Sequence, residues 1–596
     1  MSGNRLLPDF CFLSRYNFIR LKLWRRIVKK IVSIESMRKI EAAADASGLT
    51  YDIMMENAGR AAALRVVDIL DEIKGHRVTM LIGAGNNGGD GLVAARYIND
   101  HENTRVSCYL LNRRAKTDPN FKAIQGTDIL IAYADNDEDG TELRQMIHDA
   151  DIVVDALFGI GVRLPIMDSA ADVLYQVNEA LKMWRADHPN EETVFPANPA
   201  KSPPSSSKRV LALDCPSGLD CDSGLLDANA ISADETITFI AAKPGLLTFP
   251  GANAVGNLSI ASIDIPPNLP ELLDAPWAIA TAHGVKKTLP NRAPDSHKGT
   301  YGKAMIVAGS VNYTGAPGLA AEGAYRAGAG LVTVSAPVPV VNILAARLSE
   351  PTWLMLPHDM GVISETAASL ILKQIHGYKA LLLGPGWGTE ETTGNMLKQL
   401  LNPPETIAKH HKKPGIGFTS PARQSETDDE GISLPPLVID ADGLNLLAGF
   451  DEWWTLLPEG TIITPHPGEM SKLANLETKE IQNNRWKVAS AKAKEWSVVL
   501  VLKGAHTLIA APSGQLIALP FKTDALATAG TGDILAGLIV GFLAQGMNPF
   551  DAAVTGGYIH GLAGELASKT FGSGRGIIAS DILAIIRNVW QIIEDS

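Results

Sequence analysis

Three short loops in the first half of the chain combine acids and backbone amides in a way that could hold a phosphate-bearing ligand. The first, Gly83-Ala-Gly85-Asn86-Asn87-Gly88-Gly89-Asp90-Gly91, follows the apolar run Arg77–Ile82 and opens a helical pattern over Gly91–Asn99. A glycine-rich turn from strand to helix lets amides approach a pyrophosphate. Two features depart from an ordinary dinucleotide fingerprint: the next strand ends at Asn112-Arg113-Arg114 with no acid for a ribose, and Asp90 puts negative charge at the turn. The oxygens of Asn86, Asn87 and Asp90 suit a cation beside the ligand. Asp155-Ala-Leu-Phe158-Gly159-Ile160-Gly161 and Asp214-Cys-Pro-Ser217-Gly-Leu-Asp220 likewise place an acid at a strand end, followed by compliant backbone. Each acid alone reads as a turn or helix cap. Three such loops on the carboxyl edge of one parallel sheet read as a site.

The second half carries a denser set. Gly530-Thr-Gly532-Asp533 leads into the apolar pattern Ile534–Gln545, so a helix N-terminus and its amides make an anion hole. Asp533 would repel phosphate there unless it takes a proton from a substrate hydroxyl, the placement a general base needs; as an N-cap it would need no ligand. Around it stand His297-Lys-Gly-Thr-Tyr301-Gly, Gly309 to Ala316-Pro, Gly384-Pro-Gly386-Trp-Gly, Asp440-Ala-Asp442-Gly, Thr464-Pro-His466-Pro-Gly-Glu469 and Lys503-Gly504-Ala505-His506-Thr507. Nearly all follow a predicted strand. Two prolines present His466 rigidly, and Lys503 after a buried strand supports phosphate rather than merely snorkelling.

The elements that must position these loops are short apolar runs separated by helical patterns, the signature of parallel α/β sheets. The first half predicts strands at Arg77–Ile82, Val106–Leu111, Ile152–Val154 and Val210–Leu213. The second predicts Ala304–Ala308, Leu331–Ser335, Ala380–Leu383, Leu437–Ile439, Thr461–Ile463 and Val498–Leu502. Six prolines within 266–295 mark the boundary. The expected division is a basic, disordered extension over 1–33, a first domain over 34–268, a linker over 269–284 and a second domain over 285–596. Segments 185–208 and 403–435, Pro-rich and polar, read as solvated insertions.

Composition agrees. At 596 residues and 46% hydrophobic, the chain can bury two large cores, which excludes wholesale disorder. A net charge of −12 argues against nucleic acid as a partner. No apolar run is long enough to span a membrane. Cys11, Cys108, Cys215 and Cys221 form no C-x-x-C pair, so a cytoplasmic, reducing setting is expected. The first 33 residues carry eight Lys or Arg against one acid, too broken in hydropathy for a secretory leader.

Taken with Met54-Met-Glu56-Asn-Ala-Gly59 and Lys243-Pro-Gly245-Leu, the three N-terminal loops resemble those of NAD(P)H-hydrate epimerases over about residues 33–265. The resemblance implies a Rossmann-like parallel-sheet domain in which Asn86, Asn87, Gly88, Gly89 and Asp90 contact the hydrated nicotinamide nucleotide. It extends that role to Gly159, Ile160, Gly161, Val162, Arg163, Leu164 and Pro165. It further implies that Asn87, Asp155 and Ser217 hold a potassium ion and that Asp214 meets the substrate; the family's catalytic lysine has only Lys116 as a candidate. The C-terminal motifs resemble ADP-dependent NAD(P)H-hydrate dehydratases of the ribokinase-like α/β fold over about 285–592. There the resemblance implies that Lys503, Gly504, Ala505, His506, Thr507 and Gly532 bind the adenine nucleotide, while Ala316, Gly386, His466 and Asp533 contact substrate.

The chemistry this predicts is coherent. In the hydrate, the hydroxyl-bearing carbon adjoins a ring nitrogen whose lone pair can expel the hydroxyl, so R and S forms could exchange through an iminium with Asp214 as acid/base. Asp533 would deprotonate the hydroxyl of the S form for activation by the nucleotide's terminal phosphoryl, with ADP as co-substrate and magnesium neutralising the phosphates. The expected partners are small molecules, NADHX or NADPHX and ADP, in a homo-oligomer. A ribokinase-type small-molecule kinase fused to a nucleotide-binding regulatory domain shares Gly530–Asp533 but leaves the other motifs unexplained. A non-enzymatic binding module conflicts with intact Asp90, Asp155 and Asp214.

Overall fold

The computed structural model describes residues 29–186, 208–403 and 434–596. The basic extension through residue 28 and nearly all of both polar insertions lie outside the described residues. The described chain forms two units, 29–275 and 276–596.

In the first unit, β1 (Lys29–Ile31) bridges in parallel to Ala242. The parallel sheet proper comprises β2 (Arg77–Ile82), β3 (Arg105–Leu110), β4 (Leu130–Tyr133), β5 (Ile152–Ala156), β6 (Arg209–Leu213), β7 (Glu235–Phe239) and β8 (Asn257–Ala261). Their order is β4-β3-β2-β5-β6-β7-β8, the doubly wound arrangement expected of a Rossmann-like domain. Every β2 residue but Arg77 is buried, because helices cover both faces. One layer is built from Ile34–Ala46, capped by the Ser33 hydroxyl, and Tyr51–Ile73, whose Met54, Ala58, Ala62, Val66 and Leu70 recur every four residues against the sheet. The other presents Leu143, Ile147, Leu174, Val177, Leu181 and Trp184. The chain leaves β2 toward β4 and returns to β5 on β2's other side, so the loops after β2 and β5 diverge and open a crevice.

The second unit holds β9 (Trp277–Ile279), β10 (Lys303–Val307), β11 (Leu331–Pro337), β12 (Thr352–Leu356), the small hairpin β13 (His358–Asp359) and β14 (Val362–Ile363), β15 (Ala380–Leu383), β16 (Leu437–Ile439), β17 (Ile462–Ile463), β18 (Val499–Leu502), β19 (Leu508–Ala510) and β20 (Leu516–Ala518). The main sheet runs β9-β20-β19-β18-β17-β16-β15-β10-β11-β12. It is parallel from β12 through β18 and antiparallel at β18–β19 and β19–β20. The buried helix Thr531–Ala544 lies against Ala316–Ala327, with Gly537 and Gly541 admitting Ala320 and Ala324 at backbone distance.

Two boundaries differ from the sequence reading. Residues 29–33 are structured, and Lys30 Nζ donates to the carbonyls of Leu273 and Ala275, which ties the segment after residue 268 to the first unit. The stretch read as a linker, 269–284, contains the helix Pro270–Leu273, the paired strand β9 and the start of Ala282–Thr288.

Candidate functional site

In the first unit the loops after β2, β5, β6 and β7 surround a cavity of about 800 Å³. The glycine turn works by close approach: a side chain at Gly83 would run into the Leu157 carbonyl, and one at Gly88 into the Gly83 carbonyl. Arg114 closes the turn by donating to the carbonyls of Gly83 (2.9 Å) and Gly85 (3.0 Å). The N-cap of helix Asn86–Asn99 is Gly85, with no side-chain cap, so Asp90 lies inside the helix and is not the cap. Asp90 accepts no hydrogen bond from the described residues. Burial, then the charges of Asp214 and Glu41, push its carboxyl well above the usual range.

Asp214 follows β6 with φ of 63°, a left-handed conformation that strains a non-glycine residue and turns its carboxylate toward the cavity. Its Oδ1 accepts from Lys243 Nζ at 2.5 Å and from the Thr238 hydroxyl at 3.1 Å, and Lys243 also donates to Thr238 at 2.7 Å. Lys243 is 1% exposed. Burial works against its charge, but Asp214 outweighs that and holds its pKa above the ordinary lysine value. Lys116 is not among the cavity-lining residues; the lysine that reaches Asp214 is Lys243. Lys243 belongs to the Lys243-Pro-Gly245-Leu motif, and its signal is a lysine before Pro-Gly, just past a buried strand.

Asp155 is fully buried and accepts from the Ser217 hydroxyl (2.6 Å) and amide (2.7 Å) and from the Leu157 amide (3.2 Å). Burial raises its carboxyl to about 6 despite those donors. Asn87 is buried with neither side-chain oxygen nor nitrogen partnered. A methyl group on Gly159 would sit 3.1 Å from Asn87 Cβ and 3.5 Å from Asp214 Oδ2, so Asn87, Asp214 and Gly159 share one wall. Asn86, Asn87, Asp90, Gly159, Ile160, Gly161, Val162 and Asp214 line the cavity; Gly88, Gly89, Arg163, Leu164 and Pro165 are not among its lining residues. The motif around Met54 contributes Met54 and Met55 to the cavity, while Glu56 holds Arg96 (2.5 Å) and Tyr97 (2.7 Å) of the next helix.

In the second unit the motifs gather after β10, β15, β16, β17 and β18. Gly530, at φ of 90°, is the N-cap of Thr531–Ala544, so Asp533 is the third helical residue and not the cap. Asp533 accepts no hydrogen bond from the described residues. Burial first, and then Asp440, raise its carboxyl to about 7. Asp440, 1% exposed, accepts from the Thr464 hydroxyl and from Lys503 Nζ, both at 2.7 Å. Burial opposes the Lys503 charge, but Asp440 and Glu469 keep it protonated. The backbone strain sits at Ala441 (φ 53°, ψ −122°), between two acids whose second member, Asp442, accepts from the Gly388 amide at 2.9 Å. A side chain on Gly532 would reach 3.8 Å from both Lys503 Nζ and Asp440 Oδ2, which puts the glycine turn over that ion pair. Gly386 likewise meets Ala316 and Tyr313.

Two histidines have more structural duties than the sequence suggested. His466 caps Pro467–Ala474: its Nδ1 accepts from the amides of Gly468 and Glu469, while Glu469 accepts from the His466 amide in return. Nε2 remains, 3.5 Å from Glu469. His506 is buried with Nδ1 3.1 Å from the Leu519 carbonyl, and burial lowers its pKa to about 4. Thr507 closes its turn on the Gly504 carbonyl at 2.8 Å. The His297–Gly302 motif leads into β10, and Gly302 packs on Ala544, at the end of Thr531–Ala544 opposite Asp533.

The N-terminal match is to the YjeF-related protein N-terminus over residues 51–245, and the C-terminal match is to NAD(P)H-hydrate dehydratase over 304–407 and 425–588. A bifunctional NAD(P)H-hydrate repair enzyme from Moorella thermoacetica is 34% identical over 91% of this chain and 93% of its own length. One from Escherichia coli is 30% identical over 92% and 91%. Among solved structures, an ADP/ATP-dependent NAD(P)H-hydrate dehydratase from Bacillus subtilis, co-crystallised with ATP and Mg2+, is 30% identical, covering 53% of this chain and 98% of its own at a TM-score of 0.42. Both halves are matched in one chain, in the order and nearly the full length of those relatives, and the chain therefore belongs to the family of bifunctional NAD(P)H-hydrate repair enzymes.

Proposed function

We propose that the first unit interconverts the R and S hydrates of NADH and NADPH at its cavity, and that the second dehydrates the S form with ADP. The observation that carries this is one partly buried acid set at the carboxyl edge of each of two separate sheets, Asp214 in the first and Asp533 in the second. Asp214, held by Lys243 and Thr238, is fixed in place to pass a proton to or from the departing or returning water. Asp533 takes the proton of the substrate hydroxyl as that oxygen attacks the terminal phosphorus of ADP, whose bond to the bridging oxygen breaks and releases AMP. The phosphorylated oxygen then leaves as phosphate while the ring nitrogen supplies its electron pair, and loss of a ring proton gives the reduced cofactor. Lys503, beside the Gly530 turn, and the amides of that turn would meet the phosphate charge.

The donor set of the first site fits potassium: Asn87 has an orphaned buried oxygen, and Ser217 and Asp155 add hydroxyl and carboxylate oxygens, all suited to a hard cation. Bound there, the ion would supply positive charge beside the Gly85–Asp90 turn. Magnesium would arrive on the nucleotide's own phosphates. A cytoplasmic homo-oligomer acting on small molecules, with no nucleic-acid or membrane partner, completes the proposal; no helix among the described residues is long and apolar enough to cross a membrane.

The test is to supply hydrated NADH with ADP, with ATP or with no nucleotide and follow the return of NADH absorbance. Return that depends on nucleotide supports the reading. Nucleotide consumption coupled to phosphorylation of another small molecule, with no NADH formed, would favour the kinase alternative.

A further inference from the structure

Epimerisation through loss and return of water has a requirement that one acid cannot meet alone. The water leaves one face of the ring and returns to the other, so a proton must be delivered on one side and removed on the other. Asp214 serves one side. Of the other acids lining the cavity, Asp52 is exposed and Asp90 stands on the helix of the glycine turn, three residues from Asn87, which leaves Glu41 on the helix Ile34–Ala46, an element apart from the end of β6 that carries Asp214. It is half-buried and accepts no hydrogen bond from the described residues, so its carboxyl is free for a ligand. The charged groups around it are Arg38 on its own helix, Asp52 and Asp90 on the next two helices lining the cavity, and Asp214 with Lys243 at the strand ends. Burial and then Asp214 raise the Glu41 carboxyl above its ordinary range, which favours a proton on it.

We infer that Glu41 and Asp214 divide the two faces of the hydrated ring between them, so that Glu41 is a second acid–base group of the epimerase. This rests on the reading of the first cavity as the epimerase site. In one direction protonated Glu41 gives its proton to the hydroxyl and the C–O bond breaks. Water leaves with that electron pair, and the ring nitrogen lone pair forms the iminium. Asp214 then takes a proton from the water that attacks the opposite face, and the C=N pair returns to nitrogen. The net change is inversion with one proton moved from Glu41 to Asp214, and the reverse reaction or solvent resets it.

The experiment compares wild type, Glu41→Gln and Glu41→Asp as full-length protein with separated R and S hydrates in H2(18)O. Glu41→Gln should epimerise about 10²–10⁴-fold more slowly, yet still exchange label into the one epimer whose hydroxyl faces Asp214, without inverting it. Glu41→Asp should recover part of the rate, and the limb of the pH profile that falls as Glu41 loses its proton should be missing only from the Gln variant. A denaturant midpoint for the first unit equal to wild type reports that each variant is folded, and unchanged dehydration of S hydrate reports that the second unit is intact. Near wild-type epimerisation by Glu41→Gln overturns the inference, as does joint loss of inversion and exchange for both epimers. A wild-type protein that does not epimerise at all overturns instead the reading on which the inference rests.

Discussion

A carboxyl raised to about 7 is half-ionised at neutral pH, which makes Asp533 sensitive to small changes in its surroundings. The sign follows from its role. As a base it acts in the carboxylate form, and that fraction grows as pH rises through 7. Dehydration at saturating nucleotide should therefore fall about tenfold from pH 8 to pH 6. Asp533→Asn should lower turnover by about 10²–10⁴-fold while nucleotide still binds, as titration calorimetry would register, because the backbone amides of the turn are untouched. Near wild-type turnover would leave Asp533 as an ordinary helical residue. Lys243 poses the opposite case, a buried cation paired with an acid that holds it charged. Lys243→Met strands the Asp214 carboxylate beside Asp90 and Glu41, and breaking such a buried pair costs about 3–5 kcal/mol. Denaturant unfolding of the first unit should show that loss, and a midpoint equal to wild type would mean Asp214 is sufficiently solvated without its partner.

The strand-end loops were the legible part of both sites because their chemistry is written in consecutive residues. Asp155, Asp214, Asp440 and Lys503 each stand just inside or just past a strand whose apolar run marks its end. Glu41 was not legible: on an amphipathic helix with Glu35, Arg38 and Lys39, one more acid looks like a solvated face, and only the packing of that helix turns it inward. The caps were misleading for a related reason. Asp90 and Asp533 occur near helix starts, but Gly85 and Gly530 take the cap positions, which shifts both acids into the helices. Strands such as β4, β7, β8 and β12 went unread because their runs are short or interrupted by polar residues. Two predictions belong to the loops as units. Gly159 does not have a positive φ, so Gly159→Ala adds no left-handed strain and should leave the melting temperature nearly unchanged while its methyl group crowds Asn87 and touches Asp214. Epimerisation should slow by roughly 10–100-fold, the scale of a misplaced reacting group, and an unchanged rate would move the substrate away from that wall. Epimerisation should also depend on potassium, because Asn87, Asp155 and Ser217 come from three separate segments, a helix start, the end of β5 and the loop after β6, that a shared cation would hold in register. Replacing potassium with tetramethylammonium should slow it, and undiminished rates in potassium-free buffer would remove the ion from the account.

At the scale of the whole chain, each unit has its own sheet and its own buried core, one a doubly wound parallel sheet and one a larger sheet that is parallel from β12 through β18, so each half should fold and work alone. Where to divide them is a structural question. Lys30 anchors the carbonyls of Leu273 and Ala275 to the first unit, and β9, starting at Trp277, pairs with β20 in the second. A cut between Ala275 and Pro276 respects both, whereas a fragment beginning near Ala282 would strip β9 from β20 and expose a sheet edge. Residues 276–596 should dehydrate S hydrate with ADP but stop at the S fraction of an R/S mixture, apart from slow spontaneous conversion. Residues 1–275 should equilibrate R and S without consuming nucleotide, and adding the two fragments together should restore complete return of NADH absorbance. Asp214→Asn in the intact chain should behave like residues 276–596 alone, with normal dehydration of S hydrate and a stall at the same fraction. Consumption of the full mixture by residues 276–596 alone would move epimerisation out of the first unit. Two soluble, folded fragments that are both inactive would mean that the units complete each other's sites.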